Sequence, residues 1–379
     1  MNAGLLEIAA LFAKLGATAF GGPAAHVAMM HEEVVKRRQW MSDEEFLDLV
    51  GATNLIPGPN STELAIHIGH RQAGWSGLLV AGACFILPAT IIVSACAWAY
   101  VEYGSLPQAA GLLYGVKPVI IVIVLQALWS LGRSAIKTKT AGVICIAGIL
   151  LSLVGLHELL ILALSAAVAA AGRATRRLLP GALGVGPFVL LAQSASAPAA
   201  AATTSFGIWP LFLFFVKVGS VLFGSGYVLL AFLRADLVER WHWLSESQLL
   251  DAVAVGQVTP GPVFTTATFI GYLLGGVGGA AVATLGIFLP AFFFVTVSGP
   301  LVPKLRRSPT AGAILDGVNA ASLALMAVVS YELCHSALVD LPSILLGLLS
   351  ALGLIYFRVN SAWLVLGGAI AGLLLRAFG

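Results

Sequence analysis

Charge is what this sequence has least of. Twenty Lys and Arg and seventeen Asp and Glu make up only 10% of 379 residues, where a soluble domain carries about 25%. That scarcity excludes a soluble enzyme of this size. The formal net charge of +3 is too small to hold nucleic acid. Cysteine is scarce too: Cys84, Cys96, Cys145 and Cys334 lie in apolar runs at no metal-ligand or disulfide-framework spacing, and read as inert packing residues. No basic n-region opens the chain, and Glu7 and Lys14 interrupt its first apolar run, so the start reads as mature protein rather than a cleaved signal. With no Cys/His cluster, dinucleotide fingerprint, nucleophile triad or phosphate loop, the sequence leads us to expect no metal, no cofactor and no enzyme.

What is present is apolar. Hydrophobic residues make up 59% and the mean hydropathy is +0.98. The 42 glycines suit close helix contact in lipid. A bilayer core of about 30 Å needs about 20 apolar residues per helix. Windows of that kind run over 5–30, 75–101, 109–131, 141–156 and 159–172, and again over 208–233, 277–299, 311–333, 341–357 and 362–378. Between the sets, residues 173–206 end in an Ala/Ser/Thr-rich stretch that reads as a linker. The expected organisation is a first membrane repeat over 1–172, this linker, and a second repeat over 207–379.

The two sets are copies. At an offset of 203, Lys14 falls on Lys217, Gly21 on Gly224, Trp40 on Trp243, Asp48 on Asp251 and Pro57-Gly58-Pro59 on Pro260-Gly261-Pro262. Between residues 11 and 59, 16 of 49 positions are identical, which chance does not explain. At offset 202, Gly69 then meets Gly271 and Pro88 meets Pro290. Basic residues alternate between copies. The loop around Glu102 has none where its counterpart has Lys304, Arg306 and Arg307, while Arg133, Lys137 and Lys139 face a counterpart without Lys or Arg. If basic loops are cytoplasmic, the copies have opposite orientations. The fold class expected is therefore an all-α polytopic membrane protein of two inverted-topology repeats. Each repeat holds about five transmembrane helices plus a re-entrant helical hairpin broken at Pro-Gly-Pro.

That hairpin spans 42–71 and 245–273. Both copies open on a capping box, Ser42 with Glu45 and Ser245 with Gln248. Both are cut by Pro-Gly-Pro, which removes helical bonding. Pro59 and Pro262 are expected at the first helical position, with Gly58 and Gly261 as caps. The backbone N–H groups of Asn60, Ser61, Val263 and Phe264 would then face inward with the positive end of a helix dipole, a ready anion site. Asn54, Asn60, Ser61 and Thr62 in one copy, and Gln257, Thr259, Thr265 and Thr266 in the other, gather side-chain donors there. A plain buried turn is the competing reading, but broken helices in membranes commonly line a cavity.

A second break falls at Gly21, Gly22 and Pro23, matched by Gly224, Ser225 and Gly226. A turn and a half earlier sit Lys14 and Lys217, the only basic residues deep in those spans. An intramembrane cation costs about 2.5–3.5 kcal/mol on insertion scales. The pair is expected to face a cavity or a counter-ion, with snorkelling to the interface as the alternative. Together they could balance a doubly charged anion. Asp48, Asp251 and Glu63 are candidates for proton coupling. Glu63 has His67 at i+4 for a local pair, and capping or local pairing competes for all three. His26 and His31 could be pathway residues, with a solvated His near a helix end as the competing reading.

On Phe20-Gly21-Gly22-Pro23, Pro57 through Thr62, and Phe85 through Pro88, repeated as Phe223 through Tyr227, Thr259 through Pro262, and Phe288 through Pro290, the chain resembles the chromate ion transporter family, two-domain type. Ser225 departs from the glycine of the family pattern but is also small. The resemblance implies oppositely oriented halves and proton-motive export of chromate across the bacterial inner membrane, giving chromate resistance. A homodimer is compatible with it. Three other readings stay open at this point. They are a sulfate or general oxyanion transporter, which shares every feature above, a passive anion channel, and, remotely, a membrane-embedded redox enzyme.

Overall fold

The computed structural model describes residues 3–20, 22–104, 106–178, 206–223 and 228–378. Among them every regular element is helical. In the first half these are α1 (Leu5–Thr18), α2 (Gly22–His31), α3 (Asp43–Thr53), α4 (Asn60–Tyr103), α5 (Pro107–Ala135), α6 (Lys139–Leu153) and α7 (Glu158–Leu178). The second half has α8 (Ile208–Val221), α9 (Leu229–Leu233), α10 (Glu246–Val258), α11 (Thr266–Arg307), α12 (Pro309–Ala337), α13 (Leu341–Ile355) and α14 (Ser361–Phe378). Four are long and apolar enough to cross a bilayer: α4, α5, α11 and α12. The run expected to end at Gly172 continues as helix to Leu178. Arg173-Ala-Thr-Arg-Arg-Leu contains no helix breaker and extends α7 past the apolar segment. The rest of the expected linker, 179–205, lies outside the described residues.

The duplication seen in sequence recurs as backbone geometry. A π-helical turn, Glu32–Arg37, follows α2, and another, Arg234–Arg240, follows α9. Gln39 and His242, 203 apart, both sit at φ 53°. Each capping box forms: Ser42 Oγ accepts from Glu45 N at 3.2 Å, and Ser245 Oγ from Gln248 N at 3.2 Å.

The long helices α4 and α11 each contain a reversal, in the gap between the hairpins expected over 42–71 and 245–273 and the apolar windows beginning at 75 and 277. Ala73 and Gly74 (φ −140° and 60°) are matched by Gly275 and Gly276 (φ −145° and 59°). A positive φ of this kind suits glycine, which has no Cβ to clash. Beyond the reversal the chain folds back on itself. Eight residues of unbroken helix would separate two Cα atoms by ~12 Å, yet a Cβ on Gly69 would lie 2.2 Å from the Gly77 carbonyl oxygen, and one on Gly271 2.3 Å from that of Gly279. The hydroxyls of Thr268 and Thr284 meet at 2.7 Å across the same fold in the second copy. Each half therefore runs short helix, Pro-Gly-Pro, short returning helix, then a full span. At 11 residues, α3 is about 16 Å long, half of a ~30 Å core.

The halves interpenetrate. Helix α5 packs on α14 of the other half, and α12 on α7. Small residues make those crossings close. A Cβ on Gly115 would lie 2.0 Å from the Gly368 carbonyl oxygen, and one on Gly317 2.6 Å from that of Ser165. Helices α4 and α11 pack along the shared interface. The larger apolar core continues across it, from Val93 and Val119 to Phe215, Phe269 and Met326.

Candidate functional site: two hairpin tips seated on opposite halves

Pro-Gly-Pro produces a tip because Pro57 and Pro59, like Pro260 and Pro262, cannot donate a backbone hydrogen bond. Pro59 (φ −78°, ψ 93°) and Pro262 (φ −64°, ψ 130°) are the N-caps rather than the first helical residues. This is one position earlier than the sequence spacing suggests. Their extended backbone lets the Pro59 carbonyl accept from Thr62 N at 2.8 Å and Glu63 N at 3.0 Å, and the Pro262 carbonyl from Thr265 N at 2.9 Å. The N–H groups of Asn60, Ser61, Val263 and Phe264 precede those first bonds.

The middle glycine of each tip is anchored in the other half. Gly58 N–H donates to the Leu222 carbonyl at 2.7 Å, and Gly261 N–H to the Ala19 carbonyl at 2.9 Å. Ala19 and Leu222 are the C-caps of α1 and α8, where the first span of each half breaks. Gly261 (φ 93°) fits so closely that a Cβ would meet that of Ala89 at 2.4 Å and the Gly16 carbonyl oxygen at 2.9 Å. The two breaks found in sequence are thus the seats of the two hairpins. Gly22 (φ 75°) and Pro23 begin α2 at the first seat. Gly21, Gly224, Ser225 and Gly226 lie outside the described residues.

A cavity of about 250 Å³ opens at the tip of the second hairpin, far above the ~10–15 Å³ that admits one water. Buried Gly256 and Gly261 belong to its floor, and exposed Gln126 and Asn360 stand at its mouth. Gln257, Thr259 and Ser361 add polar side chains, and Gly22 and Val263 complete the rim. No charged side chain is among its lining residues. Three helical segments begin at its wall: α2 at Gly22, the turn leading into α11 at Val263, and α14 at Ser361. Helices α10 and α13 end there. At about half a charge per helix end, three positive against two negative leave an excess of roughly +0.5. A dianion here would be held mainly by hydrogen-bond donors.

The corresponding first tip is composed differently. Asn60 Nδ2 donates to Asn54 Oδ1 at 2.9 Å, and Ser61 and Thr62 are buried. Glu63 is fully buried with neither carboxyl oxygen hydrogen-bonded, so the local pair expected with His67 is not formed; His67 Nε2 is also without a partner. At the second tip Thr265 and Thr266 bond back to the Pro262 and Val263 carbonyls, each at 2.8 Å, and Phe264 is buried.

Lys14 and Lys217 each hold a counter-ion and are not among the cavity-lining residues. Lys14 pairs with Glu33 at 2.9 Å, and Arg37 and Arg38 share that carboxylate. Lys217 pairs with Asp236, which Arg240 shares. Glu33 and Asp236 are themselves 203 apart. The sequence comparison missed these acids because they differ by a methylene, although the aligned register carried both. Asp251 is buried against Lys117 at 3.3 Å and accepts from Tyr100 at 2.8 Å, an ion pair between the two halves. Asp48, its counterpart, is exposed. His26 proves buried rather than solvated, with Nε2 at 3.1 Å from the Ala19 carbonyl oxygen, and His31 lies 2.6 Å from Asp43. His157, Glu158 and Asp236 bring ligand atoms within 4.8 Å of one another. Lys217 and Arg240 on the same carboxylate make that a salt-bridge cluster rather than a cation site.

Apolar helices in two repeated halves, with broken helices meeting around a polar cavity, define a multi-pass membrane protein with a polar cavity between its repeats. The sequence model of the chromate transporter family matches residues 6–171 and 209–373, one match per half. The chain is 33% identical to the chromate transport protein of Cupriavidus metallidurans, over 97% of this chain and 92% of that one. It is 32% identical to the probable chromate transport protein of Synechococcus elongatus (91% and 88% covered), and 28% to the chromate transport protein of Pseudomonas aeruginosa (97% and 91%). No solved structure matches it. The chain belongs to the chromate transporter family.

Proposed function

We propose that the chain exports chromate across the inner membrane as a secondary transporter driven by the proton-motive force, and so confers chromate resistance. The cavity at the second tip is the observation that carries this reading. Neutral donors from Gln126, Gln257, Asn360 and Ser361 surround a space where three helix N-termini converge, while the Thr259 hydroxyl donates to the Val255 carbonyl. Such a set suits a small tetrahedral anion, whose four oxygens accept from all sides. Three relatives named for chromate transport support the substrate. The repeats over 1–172 and 207–379 rock as inverted units about that cavity. Lys14 and Lys217 act from one step back. With Glu33 and Asp236 they fix the first helix of each half against the π-helical turn that follows the break.

The test is uptake of radiolabelled chromate into proteoliposomes of the purified protein, with and without a pH gradient and with excess sulfate. Saturable uptake that responds to the gradient and resists sulfate is expected. Full competition by sulfate reassigns the substrate to oxyanions in general. Flux that neither saturates nor responds to the gradient refutes a carrier.

A further inference from the structure

We propose that the two hairpin tips have divided the work of the cycle, the second tip taking the anion and the first carrying the coupled proton on the carboxyl of Glu63. This rests on the proton-coupled reading above.

Glu63 lies in the first turn of α4, immediately after Pro-Gly-Pro. Its relative exposure is 0%, and both carboxyl oxygens are buried without a hydrogen-bond partner. Oε1 points at the tip itself, since a Cβ on Gly58 would lie 2.2 Å from it. Charged groups on the elements packed around α4 are engaged elsewhere. Lys14 on α1 is held by Glu33, Asp43 and Glu45 on α3 by Lys36 and Arg71, and Asp251 on α10 by Lys117. Asp48 on α3 is exposed, and neither His26 on α2 nor Tyr272 on α11 bonds to the carboxyl. An isolated carboxylate is disfavoured in such a place, so the group keeps its proton while enclosed. The N-terminal end of α4 pulls the other way, favouring the anion once water reaches the tip. A group held neutral when enclosed and supported as an anion when opened binds a proton on one side and releases it on the other. His67, one turn along α4, is also buried with its Nε2 unpartnered.

The duplication supplies an internal control. The counterparts of Glu63 and His67 at offset 203 are Thr266 and Ile270, neither ionisable, and that tip adjoins the cavity of neutral donors. Movement at one tip is transmitted to the other because Gly58 is hydrogen-bonded to the second half and Gly261 to the first.

The test compares Glu63→Gln and Glu63→Asp with the wild type in proteoliposomes, reading chromate uptake driven by a pH gradient beside chromate–chromate counterflow at equal pH. Glutamine keeps the shape and removes the titration. Gradient-driven uptake is expected to fall at least tenfold in Glu63→Gln, with counterflow within twofold of wild type and part of the driven uptake restored in Glu63→Asp. Driven uptake in Glu63→Gln equal to wild type overturns the assignment, and so does parallel loss of counterflow. A wild type whose uptake ignores the pH gradient instead refutes proton coupling itself.

Discussion

Replacing Gly261 by alanine tests whether the hairpin tip is seated as closely as its geometry indicates. At φ 93° an L-residue pays roughly 1–2 kcal/mol for leaving its allowed region. The added methyl would also arrive 2.4 Å from the Ala89 methyl and 2.9 Å from the Gly16 carbonyl oxygen, on the rigid face where α1 and α4 cross. Overpacking of that kind costs a further ~1–3 kcal/mol. The sum is about 2–5 kcal/mol. Gly22→Ala is the matched control, because Gly22 also has a positive φ of 75° but nothing within 4 Å of its would-be Cβ. It should cost only the conformational ~1–2 kcal/mol. At about 2 °C per kcal/mol for a chain of this size, thermal unfolding in detergent should shift by roughly 4–10 °C for Gly261→Ala and 2–4 °C for Gly22→Ala. Both scans need the same heating rate, since unfolding of such proteins is commonly irreversible. Equal shifts for the two variants would refute the close seat of the tip.

The two lysines are expected to differ in importance despite their symmetry. Asp236 keeps 1% side-chain exposure and Lys217 29%, so Lys217→Ala leaves a buried carboxylate with Arg240 alone, a loss approaching the ~3–5 kcal/mol of a broken buried pair. Lys14 is 56% exposed and Glu33 retains two arginines, so Lys14→Ala should cost ~0–1 kcal/mol. Thermal unfolding decides, and equal losses contradict this ranking. Asp340 caps α13 by accepting from Ser343 N at 2.9 Å and from the Tyr114 hydroxyl at 2.6 Å, which together hold its carboxyl below the usual value. Its contribution is present above the unfolded-state pKa and is lost as pH falls through the lowered folded-state value. Asp340→Ala should therefore lose ~0.5–2 kcal/mol at neutral pH. A wild-type advantage that does not shrink as the pH falls through the acid range contradicts the cap.

Much of this fold is legible in the sequence because duplication writes it twice. The offset of 203 predicts both capping boxes, both Pro-Gly-Pro turns and both first-span breaks, each an element set by local backbone chemistry. The reversals at Gly74 and Gly276 fall in the gaps between each hairpin and the apolar window after it, but the close contact they create, Gly69 against Gly77, depends on the fold and has no sequence signal. The exchange of α7 and α14 between halves depends on long-range packing of small residues and leaves no periodicity to read. At the candidate site, Gly22, Gln257, Gly261 and Val263 were found from the breaks themselves. Gln126, Asn360 and Ser361 were not, since they come from α5 and the start of α14, far along the chain and without counterparts of the same type. The lysines were legible as paired residues, but their acids, Glu33 and Asp236, sit on π-helical turns that hydrophobicity does not mark.

The cavity at the second tip is the proposed seat of the transported anion. A hydrogen bond to an ionised ligand contributes about 1.5–3 kcal/mol, a factor of roughly 10–150 in affinity. The direct measurement is the KM for radiolabelled chromate uptake by Gln257→Leu and by Gln257→Leu combined with Asn360→Leu, in protein shown to unfold at the wild-type temperature. The KM is expected to rise at least about tenfold with the first change and further with the second. A KM that both variants leave unchanged would place the anion elsewhere in the molecule.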